Sequence, residues 1–234
     1  MSTPSRYSGI LTGDEWDVAF GRKDNVHIVI EFIQSHWSDL LAHPVPDLDP
    51  KESEPKITKF FALSLRKNAR TFGITGYFAI EDPVAVINDM KLESKGRTDI
   101  TYVSDRLEPP LNVVLEFKKL KSKPGANTSR LEYFKNGVLR FVNGIYGRDA
   151  DIGFMVGLIA SKADKPEILS GLQHGIQNPD MQKTLKMIKD GSGKTVVVPG
   201  AKFTTCHFET AHGRDHVPGC KDVLLGHFML CHGP

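Results

Sequence analysis

The sequence predicts an α/β protein in which helices cover a central β-sheet. Amphipathic helical patterns alternate along the chain with short apolar runs rich in β-branched and aromatic residues, as in proteins whose sheets are covered by helices. The chain has 234 residues, of which 40% are hydrophobic, and this is enough for a substantial core without disulfide support. We therefore expect a single domain over residues 1–234.

Individual elements are predicted from the spacing of apolar residues. Apolar positions at helical spacing predict helices over 26–41, 56–69, 129–146 and 179–189. Short apolar or alternating runs predict strands at 76–80, 97–103, 111–117, 153–160, 196–209 and 223–231. The segment 43–55 is rich in proline and acidic residues, which predicts a loop, and 104–110 is expected to form a turn between two strands.

Composition argues against membrane and secreted classes. The chain contains no apolar run of membrane-spanning length, and the residues after Met1 are polar instead of forming an apolar leader. Its three cysteines, Cys206, Cys220 and Cys231, do not make a disulfide framework. We expect a soluble cytoplasmic protein without a membrane partner. The formal net charge of +2 is too small to indicate nucleic-acid binding by itself.

Three charged residues are expected to converge on the hairpin formed by the second and third predicted strands. Asp99 lies near the start of one strand and Glu116 near the end of the next, so antiparallel pairing brings them together. Because side chains alternate along a strand, Glu116 and Lys118 point to one face while Phe117 points to the other. The sequence therefore predicts two carboxylates and one amine at a single site.

This grouping suits the hydrolysis of a phosphodiester. Carboxylate oxygens hold Mg²⁺, the bound ion lowers the pKa of water, and a cation such as Lys118 stabilises the charge that builds on phosphate. Repulsion between Asp99 and Glu116 would raise a carboxyl pKa, for which a metal ion or the lysine compensates. The alternative interpretation is that Glu116 and Lys118 are ordinary polar residues at a sheet edge.

Two segments resemble motifs of the PD-(D/E)xK nuclease superfamily, and the match spans 54–160. Residues 96–100, Gly-Arg-Thr-Asp-Ile, resemble its second motif, and Glu116, Phe117 and Lys118 resemble its E-x-K motif. The resemblance implies a restriction-endonuclease-like core with a central mixed β-sheet flanked by helices in the order αβββαβ. Residues 1–50 then form an N-terminal helical extension, and residues 161–234 form a C-terminal extension of helix and strands.

The resemblance also assigns roles to individual residues. Asp99 and Glu116 would bind Mg²⁺, for which Mn²⁺ can substitute, and Lys118 would assist catalysis. Glu54 would complete the acidic site from the start of a helix, with Glu52 as its competitor. Thr98 stands where the family name carries a proline, a position that the superfamily specifies loosely.

Basic residues near the motif are candidates for binding nucleic acid. Lys119, Lys121, Lys123 and Arg130 follow Lys118 and would contact phosphates, although a solvated lysine-rich loop is an equally good interpretation. Arg97 is expected to orient a carboxylate or a phosphate. His212 and Arg214 are placed at the rim of the active site as further candidates.

Three functions are compatible with these features. The leading hypothesis is a Mg²⁺-dependent endonuclease that cuts DNA in bacterial restriction or anti-phage defence, as a homodimer or by nicking in two steps. The second is a catalytically silent nuclease-fold subunit that binds nucleic acid or a partner protein of a defence system. The third is an interaction module stabilised by zinc through the C-terminal histidines and cysteines.

Overall fold

A computed structural model describes residues 23–80, 83–88, 91–104 and 111–233 of the chain. Its strands are β1 (Tyr77–Ile80), β2 (Pro83–Asn88), β3 (Lys91–Arg97), β4 (Ile100–Ser104), β5 (Leu111–Leu120), β6 (Ile152–Ile159), β7 (Met187–Ile188), β8 (Phe208–His212) and β9 (Val223–Cys231). One seven-stranded sheet has the order β1-β4-β5-β6-β9-β8-β7, while β2 and β3 pair separately. The α/β class predicted from the sequence is confirmed.

The sheet is mixed because its central strands run parallel and its outer strands antiparallel. Strands β1, β4 and β5 form an antiparallel meander. Strand β6 then lies parallel to β5, and β9 lies parallel to β6. Strands β8 and β7 complete the sheet in antiparallel pairing. A parallel neighbour requires a crossover, and the chain between β5 and β6 supplies it as helices.

Helices flank the sheet on both faces. They are α1 (Lys23–Leu40), α2 (Glu54–Asn68), α3 (Ala126–Tyr133), α4 (Leu139–Val142), α5 (Lys165–Gln177) and α6 (Pro179–Thr184). A π-helical turn, Phe134–Val138, separates α3 from α4 where the sequence predicted one continuous helix. Gly137 lies in this turn against Met155, and a Cβ atom there would stand 2.4 Å from the Met155 Cε. Close packing therefore accompanies the irregular turn.

Two apolar clusters hold the helices to the sheet. One contains Trp37 of α1 and Phe61 of α2 together with Phe117 of β5. The other contains Tyr133 of α3 and Leu172 of α5, packed on the opposite face. Each large apolar side chain buried in this way stabilises the fold by about 1.5 to 3 kcal/mol. The clusters fix the end of β5 between the two helical layers.

Some predicted elements differ from those observed. The strand predicted at 97–103 starts at Ile100, because the preceding residues form the unpredicted hairpin of β2 and β3. The strand predicted at 196–209 is replaced by turns, and β8 begins only at Phe208. Helix α5 was also not predicted.

Two other predictions fall wholly or partly outside the described residues. Nothing is described of 1–22, and of the turn predicted at 104–110 only Ser104 is described. Among the helices that are described, none has the length and apolar character required to cross a membrane.

Candidate active site

The β4–β5 pairing brings Asp99 and Glu116 side by side. Ile100 pairs with Leu115 in the antiparallel register, so Asp99 and Glu116 stand one position beyond that pair on neighbouring chain segments. Asp99 Oδ2 accepts a hydrogen bond from the backbone N–H of Phe117 at 2.7 Å. The aspartate is thereby held against the strand that carries the glutamate and the lysine.

Lys118 connects the acidic residues of the site. Its Nζ donates to Glu116 Oε1 at 2.8 Å, to the carbonyl oxygen of Phe117 at 2.7 Å and to Glu54 Oε1 at 3.2 Å. These three oxygens surround the ammonium group. The geometry agrees with the sequence-based expectation that Glu116 and Lys118 lie on one face of the strand.

Glu54 joins the site from the first turn of α2. Its Oε2 accepts a hydrogen bond from the backbone N–H of Lys119 at 2.6 Å, while its Oε1 contacts Lys118. Glu52, the competing candidate, forms a salt bridge with Lys56 at 3.0 Å instead. Of the two acids at the start of this helix, Glu54 is therefore the one that contacts the lysine.

Burial changes the charge state of the carboxyl groups. Glu116 is 1% exposed. Burial, followed by repulsion from Asp99, raises the pKa of Glu116 from 4.5 to about 8. Burial also raises the pKa of Asp99, against the opposing attraction of Lys118. The surrounding carboxylates raise the pKa of Lys118 despite its own burial, so the lysine remains charged. Glu116 can therefore hold a proton at neutral pH when no further cation is present.

One oxygen of Glu116 has an unusual environment. In the ionised carboxylate, Oε2 is buried and has no hydrogen-bond partner in the described part of the chain. When Glu116 holds a proton, the Asp99 carboxylate can accept a hydrogen bond from it. Leaving a buried carboxyl oxygen unpartnered costs about 1 to 3 kcal/mol. Such an atom is typical of a site that binds something the protein alone does not provide.

Sequence reasoning missed Arg140 and Tyr146, which extend the site from the other side. The Arg140 Nη1 lies 3.9 Å from Glu116 Oε1, and its guanidinium lies 5.4 Å from the centre of the Tyr146 ring. It also donates a hydrogen bond to the Tyr146 hydroxyl, which in turn donates to the carbonyl oxygen of Arg97 at 2.7 Å. No sequence motif pointed to this arginine, because it reaches the site through the tertiary position of α4.

A cleft of about 700 Å³ lies beside the site, although Asp99 and Glu116 themselves are not among its lining residues. Lys118, Lys121, Thr128, Arg140 and Glu54 are among the residues that line it. A second cleft, of about 490 Å³, continues past the start of α3 and shares Lys121, Gly125 and Thr128 with the first. Lys123 and Arg130 line this second cleft. The first cleft is lined by both cations and anions, and most of the predicted basic cluster borders one of the two.

The predicted basic residues differ in how freely they face solvent. The Lys119 Nζ donates to the carbonyl oxygens of Pro50 and Glu52, so this lysine holds the loop before α2. Arg130 donates to the carbonyl oxygen of Gly171 at 3.0 Å. Lys121 and Lys123 therefore remain the better candidates from this cluster for contacting a ligand. Arg97 is exposed at the end of β3.

The structure does not place His212 and Arg214 at the rim. Both are 0% exposed. Arg214 donates to the carbonyl oxygens of Lys221, Gly147 and Ala150, which satisfies its buried guanidinium within loops. Neither side chain can reach nucleic acid, and their predicted role as binding residues is wrong. Their sequence positions gave no sign of this burial, because His and Arg usually face solvent.

His212 belongs to a buried chain of polar side chains instead. Tyr133 contacts His227 at 2.8 Å, Thr210 contacts His227 at 2.8 Å and His212 at 2.7 Å, and His212 contacts the carbonyl oxygen of Leu185 at 2.7 Å. Burial lowers the pKa of His212 to about 4 and that of His227 well below its ordinary value. These histidines are neutral core residues.

The C-terminal histidines and cysteines do not assemble a zinc site in the described ranges. No group of three or more His, Cys, Asp or Glu side chains is arranged there to hold a metal ion. Cys206, Cys220 and Cys231 are all free thiols. This arrangement gives no support to a zinc-stabilised module.

No protein-family model matches the sequence, and no curated protein or solved structure matches it. The fold and the site define an α/β protein that has a mixed sheet and a charged cleft beside β5.

Proposed function

We propose that this protein is a Mg²⁺-dependent endonuclease of the PD-(D/E)xK type that hydrolyses DNA phosphodiester bonds. The observation that carries the proposal is that Asp99, just before β4, meets Glu116 and Lys118 of β5, and that Lys118 lines an open cleft. The setting we propose is bacterial restriction or anti-phage defence, with Mn²⁺ as a substitute ion. A catalytically silent subunit with the same fold is the alternative.

The topology supports this class. The elements α2, β1, β4, β5, the α3–α4 segment and β6 follow one another in the order αβββαβ, with β6 parallel to β5. The hairpin of β2 and β3 is then an insertion between the first two strands of the core. The acidic residues and the lysine lie where the antiparallel meander meets the parallel strand.

The donor set fits magnesium better than a metal that demands a complete protein cage. Mg²⁺ keeps several waters and is usually held by one or two carboxylates plus phosphate oxygens. Asp99 and Glu116 supply two carboxylates, and the buried Glu116 Oε2 lacks a hydrogen-bond partner among the described residues.

The residues of the chain divide the chemistry among them. Asp99 and Glu116 would hold the ion, which when bound would lower the pKa of a water molecule and stabilise negative charge on phosphate. Lys118 keeps its proton beside the carboxylates, and all three of its N–H donors have protein acceptors. To donate to the phosphate or to the attacking water it would exchange one of these acceptors for the substrate. Arg140 lines the same cleft as Lys118, so a guanidinium and an ammonium both border the proposed substrate site.

The decisive experiment compares cleavage by wild type and Lys118→Ala. Supercoiled plasmid, linear duplex, single-stranded DNA and RNA are incubated with Mg²⁺, Mn²⁺ or EDTA. We expect metal-dependent cleavage of DNA that the substitution lowers by at least about a hundredfold, the scale on which removal of one electrostatic donor slows an enzyme. Lys183→Ala, an exposed lysine outside both clefts, is the matched control and should cut like wild type.

Other outcomes would change the proposal. If only RNA is cut, the substrate assignment is wrong while the metal-dependent chemistry stands. If wild type binds DNA but cuts nothing with either ion, the silent-subunit alternative replaces the nuclease. Light scattering with and without DNA then tests whether cutting both strands uses a homodimer, because a strict monomer leaves only nicking in two steps.

A further inference from the structure

Helix α2 and the turn after it carry a stripe of exposed residues, all but one of which are cations. The stripe contains Lys56, Lys59, Leu63, Arg66, Lys67 and Arg70, which follow at steps of three, four or one residue. Steps of three and four residues place side chains on one helical face. No aspartate or glutamate occurs anywhere in residues 55–80. The exposed face of this helix therefore has one sign of charge.

Within the described chain, most of these cations have no neutralising partner. Lys56 pairs with Asp47 at 3.1 Å and with Glu52 at 3.0 Å. Across the described ranges, no carboxylate lies within salt-bridge distance of the remaining cations, which are Lys59, Arg66, Lys67 and Arg70. Arg66 is also positioned, because its Nε donates to the carbonyl oxygen of Phe78 at 2.9 Å. An uncompensated row of this kind attracts polyanions.

The far end of the stripe meets an exposed aromatic ring and a cavity. Tyr77, the first residue of the edge strand β1, is 57% exposed. A cavity of about 740 Å³ lies beside it and is lined by Arg66, Arg70, Gly76 and Tyr77 among other residues. A large exposed ring next to two arginines provides both a stacking surface and cations for phosphate.

The near end of the stripe lies at the active site. Glu54 begins α2 and lines the catalytic cleft, and Lys56 follows it by two residues. With a rise of about 1.5 Å per residue, the 15 residues of α2 extend roughly 22 Å from the cleft. A strand leaving the cleft along this helix would meet the cations in sequence and reach Tyr77 at the end.

We propose that this stripe, ending at Tyr77, binds the backbone of a single-stranded nucleic acid that continues from the catalytic cleft. The charges select a polyanion, and the exposed ring selects an unpaired base, because bases inside a duplex are already stacked on their neighbours. The inference deepens the proposed nuclease function and rests on it for the direction of the strand. An anionic membrane surface is disfavoured, because Leu63 is the single aliphatic residue within the stripe.

Binding is measured by fluorescence anisotropy in EDTA, so that cleavage plays no part. Labelled single-stranded DNA, single-stranded RNA and duplex DNA are titrated with wild type and with the triple variant Lys59→Gln, Lys67→Gln, Arg70→Gln. We expect weaker single-strand binding and a salt dependence whose logarithmic slope falls by about 2, near 0.7 for each phosphate that is no longer neutralised. The variant Lys162→Gln, Lys183→Gln, Lys189→Gln removes the same charge elsewhere and should bind more tightly than the stripe variant.

The aromatic part of the proposal has its own test. Tyr77→Ala should weaken single-strand binding by roughly 5- to 150-fold, the range for loss of one base–aromatic stack, while Tyr77→Phe should bind like wild type. Duplex binding should respond less to either change. Thermal unfolding of every variant checks that the fold is retained. A variant that fails this check is replaced by the corresponding single substitutions.

Several results would overturn the inference. Equal losses of affinity in the stripe and control variants would show that binding depends on overall positive charge and not on the stripe. An unaltered affinity of Tyr77→Ala would show that the Tyr77 ring does not select single strands. Binding to phosphatidylserine vesicles without nucleic-acid binding would assign the surface to a membrane. If the binding results are as expected but no cleavage is found, the nuclease proposal is wrong and the stripe proposal stands. If cleavage is found and the stripe variant binds normally, only the stripe proposal fails.

Discussion

Asp99 and Phe117 are joined by a hydrogen bond in which the backbone N–H of Phe117 donates to Asp99 Oδ2 at 2.7 Å. Phe117, which lies between Glu116 and Lys118 in the sequence, thus fixes the position of the Asp99 carboxylate. Because the donor belongs to the backbone of β5, the aspartate side chain cannot turn away without breaking this hydrogen bond. This one hydrogen bond gives Asp99 a structural role as well as its proposed chemical one.

Substitution of Asp99 should separate these two roles. Asp99→Asn keeps an oxygen that can accept the hydrogen bond from Phe117, but it removes the charge that the proposed Mg²⁺ site requires. We expect this variant to melt close to wild type and to lose cleavage. Asp99→Ala leaves the N–H without its acceptor and should lower the free energy of unfolding by about 1 to 3 kcal/mol. Denaturant unfolding measures the difference, and equal stability of the two variants would contradict it.

The elevated pKa of Glu116 should make metal binding depend on pH. A protonated Glu116 must release its proton to bind Mg²⁺, so affinity should rise as the pH increases toward about 8. Calorimetric titration in buffers of different ionisation heat should detect the released proton. Glu116→Gln should bind Mg²⁺ weakly at every pH. Proton release unchanged by this substitution would assign the proton to another group.

The same group should affect stability in the absence of metal. The pKa of Glu116 is raised on folding from 4.5 to about 8, so its favourable contribution is fully present below 4.5 and is lost as the pH rises through 8. Glu116→Gln should therefore be more stable than wild type above about pH 8, by the order of 3 kcal/mol after coupling to Asp99 is considered. At low pH the two proteins should unfold alike in urea.

Arg140 should influence the site through Glu116. Its guanidinium lies 3.9 Å from Glu116 Oε1 and helps to hold the pKa of that carboxyl down. Arg140→Ala should move the acid limb of the pH–rate profile toward higher pH and slow cleavage, while Arg140→Lys should recover part of both. Arg148→Ala, at an exposed arginine outside the cleft, is the control. A slower reaction with an unmoved acid limb would limit Arg140 to substrate contact.

The buried histidine chain has a definite direction of hydrogen bonding. The Leu185 carbonyl can only accept, so neutral His212 carries its proton on Nδ1 and accepts at Nε2 from the Thr210 hydroxyl. Thr210 then accepts from His227 Nε2, and His227 Nδ1 accepts from Tyr133. Every group is satisfied only while both histidines are neutral.

Acid should therefore destabilise this part of the core. Burial lowers the pKa of His212 from 6.5 to about 4 on folding, so its contribution is present above 6.5 and is lost as the pH falls toward 4. The loss from this residue is about 3 kcal/mol. Urea unfolding from neutral to mildly acidic pH measures it. His212→Gln should flatten the dependence, whereas His216→Gln, an exposed-loop control, should leave it unchanged.

The sequence was most informative where a pattern depends on local spacing. The alternation of Glu116, Phe117 and Lys118 along a strand predicted which side chains share a face, and the hairpin register predicted the approach of Asp99. Helix α1 and strand β9 follow equally regular apolar patterns. In these places the local period and the tertiary environment favour the same structure.

Other features depend on interactions that no local pattern contains. Arg140 reaches Glu116 only after α4 has packed on the sheet, and Arg214 is buried because carbonyl groups from distant loops accept its hydrogen bonds. The segment before β8 has apolar residues suited to a strand. There the Glu209 carboxylate accepts from the backbone N–H groups of Lys202 and Phe203, which stabilises a turn. Long-range hydrogen bonding overrides propensity at these positions.

The ammonium group of Lys118 lies among oxygens of Glu116, Glu54 and Phe117, so a cation that belongs to the chain offsets part of the negative charge of the acidic site. A newly made polypeptide can thus complete its core before any ion arrives. Ion binding and folding would then be separate events, and the proposed nuclease would lose activity but keep its fold when divalent ions are depleted. Its activity could then be restored simply by ion supply, with no new synthesis.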